Sequence, residues 1–278
     1  MVDFNFGNAF MHFARTAGPR GFVWKYVLAC LAVEFTVIML LLVLHNSTVV
    51  AAAPDTLGDP ALAAAVLAYA LGGAVYLVLP LSLLIYAVFE AAALRRYIRR
   101  EGFRLRLGRD ELRMFVVLLI WVAFSALAVV VFSALAVPLV GESETLIAAL
   151  STLGILGYLY LATRFSPAAA LTIRDRRIRF FQAWRVTEGK KGWLLMSVYA
   201  LWFVVGAVAY AAVFSVLVSV LEPSSPDSPA ASGLAASLAI LLLTLAASAA
   251  FLYIWAGPAA LAARADGEDA DLTAEVFS

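Results

Sequence analysis

Residues 164–193 read RFSPAAALTIRDRRIRFFQAWRVTEGKKGW. They hold eight Lys or Arg, only Asp175 and Glu188 as acids, and the rings Phe165, Phe180, Phe181, Trp184 and Trp193. The flanks are different. Residues 146–163, LIAALSTLGILGYLYLAT, and residues 194–221, LLMSVYALWFVVGAVAYAAVFSVLVSVL, contain no charged side chain. Each flank is long enough to cross roughly 30 Å of hydrocarbon as a helix rising about 1.5 Å per residue. The basic stretch is then a connector between two membrane spans.

The whole chain has the same character. It has 278 residues, 64% of them hydrophobic and 14% charged, with a mean hydropathy of +0.94. A soluble domain carries charge on about a quarter of its residues, so this chain lacks the polar surface to face water. Six apolar segments near 22–44, 62–89, 114–140, 145–163, 193–221 and 234–263 are expected to be spans. The second, fifth and sixth exceed the minimum length and are expected to tilt or to extend past the bilayer. The N-terminal residues MVDFNFGNAFMHFARTAGPRGF lack a signal-peptide pattern, and the first span is expected to stay in the mature protein.

Charge sets the expected orientation. The connectors HNSTVVAAAPDTLGDP, PLVGESET and EPSSPDSPAASG have turn compositions. They carry Asp55, Asp59, Glu142, Glu144, Glu222 and Asp227 without a single Lys or Arg. All twenty basic residues lie in the N-terminal segment, in residues 95–113, in residues 164–191 and at Arg264. A six-span topology puts every one of them on the same side, which the positive-inside rule makes cytoplasmic, both termini included. Only Lys25, Lys190 and Lys191 are lysines; with the high Ala content this hints at a high-GC bacterial genome, hence a bacterial inner membrane.

A threefold repeat is also legible. EAAALRR (90–96), SPAAALTIR (166–174) and GPAALAAR (257–264) end the even-numbered spans. FGNAFMHFAR, FRLRLGRDELRMF and RFFQAWRVTEG precede the odd-numbered ones. The expected fold is thus all-α and integral to the membrane. Six transmembrane helices form three two-helix hairpin repeats (4–100, 103–177 and 178–264) within one domain, 1–278, with short cytoplasmic interfacial helices. Phe6, Phe10 and Phe13 share a helical face, and Phe180, Phe181 and Trp184 cluster similarly; both sets are expected to point towards acyl chains. The middle element, FRLRLG, alternates and reads as extended. Gly189 suits a C-cap, with Lys190 and Lys191 opposing the negative end of the preceding helix. The acidic tail, 265–278, is expected to be mobile and to dock on the Arg connectors.

The Pro–small–basic run followed by FFQAWRVTEGKKGWLL resembles multi-pass bacterial proteins related to the membrane domain of glycerophosphodiester phosphodiesterases. The residues that carry the likeness are Pro167, Ala183, Trp184, Thr187, Gly189 and Trp193. The resemblance covers about thirty residues and implies architecture rather than chemistry. The hydrolase's soluble barrel has no room here, and His12 and His45 are the only histidines.

No Walker loop, zinc-type spacing, CxxC or G-x-S-x-G occurs, so the expectation is a non-enzyme with no cofactor and no metal. Glu34 is the one acid well inside a span. It is a functional candidate by default, against the plainer reading of a protonated acid bonded to Ser125 or Ser151. Glu90 is expected to form a surface ion pair with Arg95 or Arg96. Cys30 reads as a buried thiol. Ser125, Gly154, Gly157 and other small residues within spans read as helix-packing positions, and Pro80 and Pro258 as kinks.

Anionic lipid headgroups are the expected partners of Arg95, Arg99, Arg104, Arg106, Arg176, Arg177, Arg179, Trp184, Arg185, Lys190 and Lys191, at about 1 kcal/mol per basic residue near the surface. Another membrane protein or a second copy of the chain is a further candidate partner. Nucleic acid is not, because Glu101, Asp110, Glu111 and Asp175 interrupt the basic runs. The leading functional reading is a scaffold, assembly or envelope-homeostasis protein. The alternative is a transporter or channel for a lipid or small solute, built around Glu34.

Overall fold

The computed structural model describes residues 4–16, 18–52, 60–136, 144–221 and 230–277. These form ten helices and no strand among the described residues. The N-terminal segment is a pair of short helices, α1 (Phe6–Phe10) and α2 (His12–Arg15). Long helices follow: α3 (Phe22–Ala52), α4 (Pro60–Arg99), α5 (Arg109–Ala136) and α6 (Glu144–Phe165). Two short ones, α7 (Ala168–Asp175) and α8 (Gln182–Val186), lead to α9 (Lys190–Leu221) and α10 (Ala230–Phe277).

The described residues of all six apolar segments are helical, and residues 137–140 of the third lie outside the described residues. Five stretches are long and apolar enough to cross a membrane: Phe22–Leu40, Arg109–Leu135, Ala148–Asp175, Lys190–Ala212 and Leu241–Gly267. The expected second span, in α4, is not among these five. Of the acids expected on the opposite side, Asp55, Asp59, Glu142, Glu222 and Asp227 lie outside the described residues, and Glu144 opens α6.

Local chemistry sets the helix ends. Asn5 caps α1, its side chain accepting from the Asn8 N–H at 2.8 Å. Pro60 starts α4, where its missing N–H costs nothing. Pro167 cannot donate into the ladder of α6, so that helix stops at Phe165 and α7 begins afresh. Arg100 and Arg176 take left-handed backbone at φ 57° and 54°, turning the chain out of α4 and α7. Pro80 and Pro258 lie inside α4 and α10, which run on through them.

The chain folds as two compact units. One comprises Met1–Phe22, Ala87–Tyr210 and Phe251–Ser278; the other comprises Val23–Tyr86 and Ala211–Ala250. The first unit holds most of the buried core. Ala91–Leu94, Ala168–Ile173 and Ala259–Ala263, the three look-alike segments, are all buried within it. Small side chains let these helical segments pack, and arginines join them. Arg99 donates to the Ile173 carbonyl in the last turn of α7, where the helix is negative, and Arg174 donates to the Ala263 carbonyl within α10. Gly154 and Gly206 are close-packing positions: a Cβ there would press on the ring of Phe132 (Cδ2 2.7 Å) or Phe251 (Cε2 2.9 Å). Gly157 faces open space.

Four expectations need correction. Phe10 and Phe13 do not face acyl chains but pack on Trp202, at centroid distances of 4.6 and 5.6 Å, in a cluster with Val198 and Leu261. Phe180 is buried against Phe165 at 5.0 Å while Phe181 is 76% exposed, so the third aromatic group divides between core and surface. The acidic tail is an extension of α10 up to Phe277, and its Asp266 does meet the basic connector, at Arg174, 3.2 Å away. Lys190 and Lys191 are the first residues of α9, so they sit at a positive helix end.

Candidate functional site

The basic residues of the first unit fall into two groups with opposite environments. The first follows α4. Gly108 precedes α5, and its N–H donates to Glu111 Oε2 at 2.9 Å, the reciprocal half of a capping box. That capping fixes Glu111 where Arg95 reaches it; the two side chains are 1% and 2% exposed and form an ion pair. Arg95 also donates to the Arg104 carbonyl at 3.0 Å and lies 3.6 Å from Glu101. Arg99 binds Asp110 at 2.8 Å, and Arg113 binds the same carboxylate at 3.1 Å. Arg106 lies 3.6–3.9 Å from Asp110, Glu111 and Glu101.

Residues 101–108 form neither a helix nor a strand. Arg104, Leu105, Arg106 and Leu107 are exposed there. Arg95 is removed from the expected lipid-contacting set, because its guanidinium is inside the protein and neutralised there. Arg96 is likewise internal: it donates to Tyr253 Oη and the Pro19 carbonyl, each at 3.1 Å, and stacks over Phe22. Gly18 leaves the room, since a Cβ there would lie 2.7 Å from Arg96 Nη1.

Glu90 departs from expectation for the same reason. Arg95 and Arg96 are committed elsewhere, and no ion pair to Glu90 occurs among the described residues. Its Oε2 is buried without a partner, and burial pushes its carboxyl up to about 7. His12, buried against Tyr97 at 5.4 Å, is pushed down to about 4 by burial and by Arg264.

The second group lies in α7 to α9. Arg174 pairs with Asp175 at 2.7 Å and with Asp266; Arg179 pairs with Asp175 at 3.3 Å. Burial opposes the charge on Arg174, yet the two carboxylates raise its pKa. Arg176, Arg177, Arg185 and Lys190 are exposed, as are Trp184 and Trp193. Charged heads and indole rings are thus both exposed along this stretch, the combination an interfacial layer favours.

Glu34 lies in the other unit, on α3. It accepts from the Cys30 thiol at 3.5 Å, and its second oxygen is buried without a partner. Ser125 shares a 3.0 Å hydrogen bond with Tyr158. Cys30 is a buried free thiol, as expected.

One residue that matters escaped the sequence reading. Arg164, at the last turn of α6, is 9% exposed and donates to the Thr187 carbonyl. Its guanidinium stacks over Trp184 at 4.4 Å and reaches Tyr160 at 5.7 Å. Thr187 answers by donating to the Arg164 carbonyl at 3.0 Å, which ties α6 to the turn before α9. Arg164 Nε has no partner, and no carboxylate pairs with this guanidinium among the described residues. It lines a cavity of about 210 Å³ with Tyr160 and Thr163 of α6 and with Gly189, Gly192, Trp193 and Met196. Gly189 has φ 63°, and a Cβ on Gly192 would overlap the Thr187 carbonyl and press on Arg164 Nη1 at 3.0 Å. The sequence signal was a lone Arg closing an apolar span one turn after Tyr160.

No metal-ligand cluster of three or more His, Cys, Asp or Glu occurs among the described residues. No family model, no curated protein and no solved structure matches this chain.

Proposed function

We propose that this chain is a six-span protein of the bacterial inner membrane, both termini cytoplasmic, that works as a non-enzymatic scaffold, assembly or envelope-homeostasis factor. Its cytoplasmic face contacts anionic lipid and offers a surface to another membrane protein or a second copy. The observation that carries this reading is the one-sided charge. All twenty Lys and Arg fall in alternate connectors and at the ends of the chain, and the exposed members stand among exposed Trp, Phe and Leu side chains.

The three-hairpin repeat is part of the proposal. Its support is the burial of the three matching Ala-rich segments and the Arg-to-carbonyl links between them. The likeness to membrane domains of glycerophosphodiester phosphodiesterases belongs here too. Its motif residues Pro167, Ala183, Trp184, Thr187, Gly189 and Trp193 build one turn-rich connection from α6 to α9.

Single-cysteine labelling in inverted and right-side-out vesicles tests the topology. Cysteines at 55, 142 and 222 should react from the outside, and those at Arg106 and Arg185 from the cytoplasmic side. A reversed signal at any of the five sinks the reading. Transport is the second reading, supported by the unpartnered oxygen of Glu34. A solute flux that vanishes in Glu34→Gln would move the assignment there.

A further inference from the structure

We propose that the Arg164 cavity binds the phosphate of an anionic glycerophospholipid, with Tyr160, Trp193 and Met196 taking the glycerol and first acyl carbons. This deepens the lipid-contact reading above and rests on it.

Three independent features meet in the cavity. The first is charge without a counter-charge. A buried guanidinium normally acquires a carboxylate, as Arg95 does with Glu111, because leaving a buried cation unpaired is costly. Arg164 has a carbonyl and an indole face instead, which offset only part of that cost. Asp175 is committed to Arg174 and Arg179, and Glu188 is exposed with no ion pair among the described residues.

The second feature is the start of α9, a helix of 32 residues whose first turn borders the cavity through Gly189 and Gly192. Its leading N–H groups have no intrahelical acceptor, and its dipole favours an anion. An anion in the cavity offsets the Arg164 charge and the positive helix end together.

The third feature is shape. About 210 Å³ is room for about seven waters. The lining passes from Arg164, Thr163 and glycine backbone to Tyr160, Trp193 and Met196. Beyond it, α6 exposes Leu153 and Leu156 and α9 exposes Leu201 and Val204. A soluble phosphate would use only the polar end. A phospholipid uses the polar end, the aromatic ring and the apolar flank in that order.

The test is calorimetric titration of the full chain in detergent micelles with dioctanoyl phosphatidylglycerol, dioctanoyl phosphatidylcholine and inorganic phosphate. Saturable phosphatidylglycerol binding is expected, at least tenfold tighter than phosphatidylcholine, with no saturable phosphate binding at millimolar concentration. Arg164→Gln should weaken phosphatidylglycerol at least tenfold. Trp193→Ala changes a side chain that is 63% exposed and spares the fold; it should weaken the lipid several-fold and decides the matter if Arg164→Gln does not fold. Equal binding of the two lipids, saturable binding of phosphate alone, or unchanged affinity in the folded variants would overturn the proposal. A protein that labels with the expected topology yet shows no headgroup preference loses this site and keeps the membrane reading.

Discussion

Residues 95–113 and residues 164–191 each hold eight basic side chains, yet they use them in opposite ways. In the first region Glu101, Asp110 and Glu111 thread among the arginines, so Arg95, Arg99, Arg106 and Arg113 find carboxylates from their own neighbourhood. In the second, Asp175 serves Arg174 and Arg179, while Arg164 is buried with none. Both connectors stay net positive, but the first pairs four of its arginines with carboxylates in a joint that ties α4 to the start of α5. The second leaves Arg164 buried without a carboxylate among the described residues, beside an apolar surface. Charge counts alone treat the two alike. Arg96 also has no carboxylate among the described residues, but Tyr253 and Pro19 occupy its Nε and Nη1, whereas Arg164 keeps an unpartnered Nε and lines a cavity.

The largest expected effect attacks the joint. Glu111→Gln takes from the buried Arg95 its closest carboxylate, leaving Glu101 at 3.6 Å, and removes the anion that caps α5 at Gly108. Breaking a buried pair from one side costs about 3–5 kcal/mol. The variant should melt far below the wild type in detergent or fail to accumulate. A melting temperature within a degree or two of the wild type would mean that the first connector is no more structural than the second, and the contrast would fall.

How much of this was visible in the sequence follows from the same contrast. Long apolar runs and the alternation of basic with acidic connectors are properties of chain order, so the helices could be read directly. Pairing is a property of three dimensions. Arg95 and Glu111 are sixteen residues apart and meet only because Gly108 and the first turn of α5 aim the carboxylate back. Glu90 seemed destined for Arg95 or Arg96 by proximity, but Arg96 turns to Tyr253, Pro19 and Phe22. Arg164 looked like another topology marker until its stacking partner Trp184 and the Thr187 carbonyl lay beside it. Phe10 and Phe13 had the right spacing for a membrane-facing helix; spacing fixes which residues share a face, and packing on Trp202 decided where that face points.

A second prediction adds a charge to the packed region instead of removing one. His12 is buried with Nε2 unpartnered, against Tyr97 and under the influence of Arg264. Its pKa falls from 6.5 to about 4 in the folded chain. Between those values the unfolded chain binds the extra proton, so stability is full above pH 6.5 and is lost as pH falls towards 4. The linkage amounts to roughly 3 kcal/mol at most. Glu90 works the other way, since a carboxyl raised to about 7 favours the folded state as pH falls. The informative quantity is therefore the difference between wild type and His12→Phe, in which Glu90 cancels. That variant keeps a ring against Tyr97 and should lose less melting temperature than wild type between pH 7 and 5. Parallel pH curves would show that His12 carries no such linkage.

The smallest expected effect separates the exposed arginines of the two connectors. Arg106 is partly exposed, within 3.9 Å of three carboxylates, and Arg185 is exposed with no ion pair among the described residues. Solvated pairs contribute about 0–1 kcal/mol, so neither Arg106→Gln nor Arg185→Gln should change melting in neutral detergent by more than a few degrees. Anionic lipid distinguishes them. An unpaired cation near the surface adds about 1 kcal/mol towards acidic headgroups, whereas the field of Arg106 is offset in part by Glu101, Asp110 and Glu111, which it shares with Arg95, Arg99 and Arg113. In nanodiscs with increasing phosphatidylglycerol, Arg185→Gln should therefore lose part of the lipid-dependent rise in melting temperature, and Arg106→Gln should retain it. Matching losses would mean that the carboxylates around Arg106 do not screen it. The two connectors would then present equivalent charge to the membrane despite their different pairing.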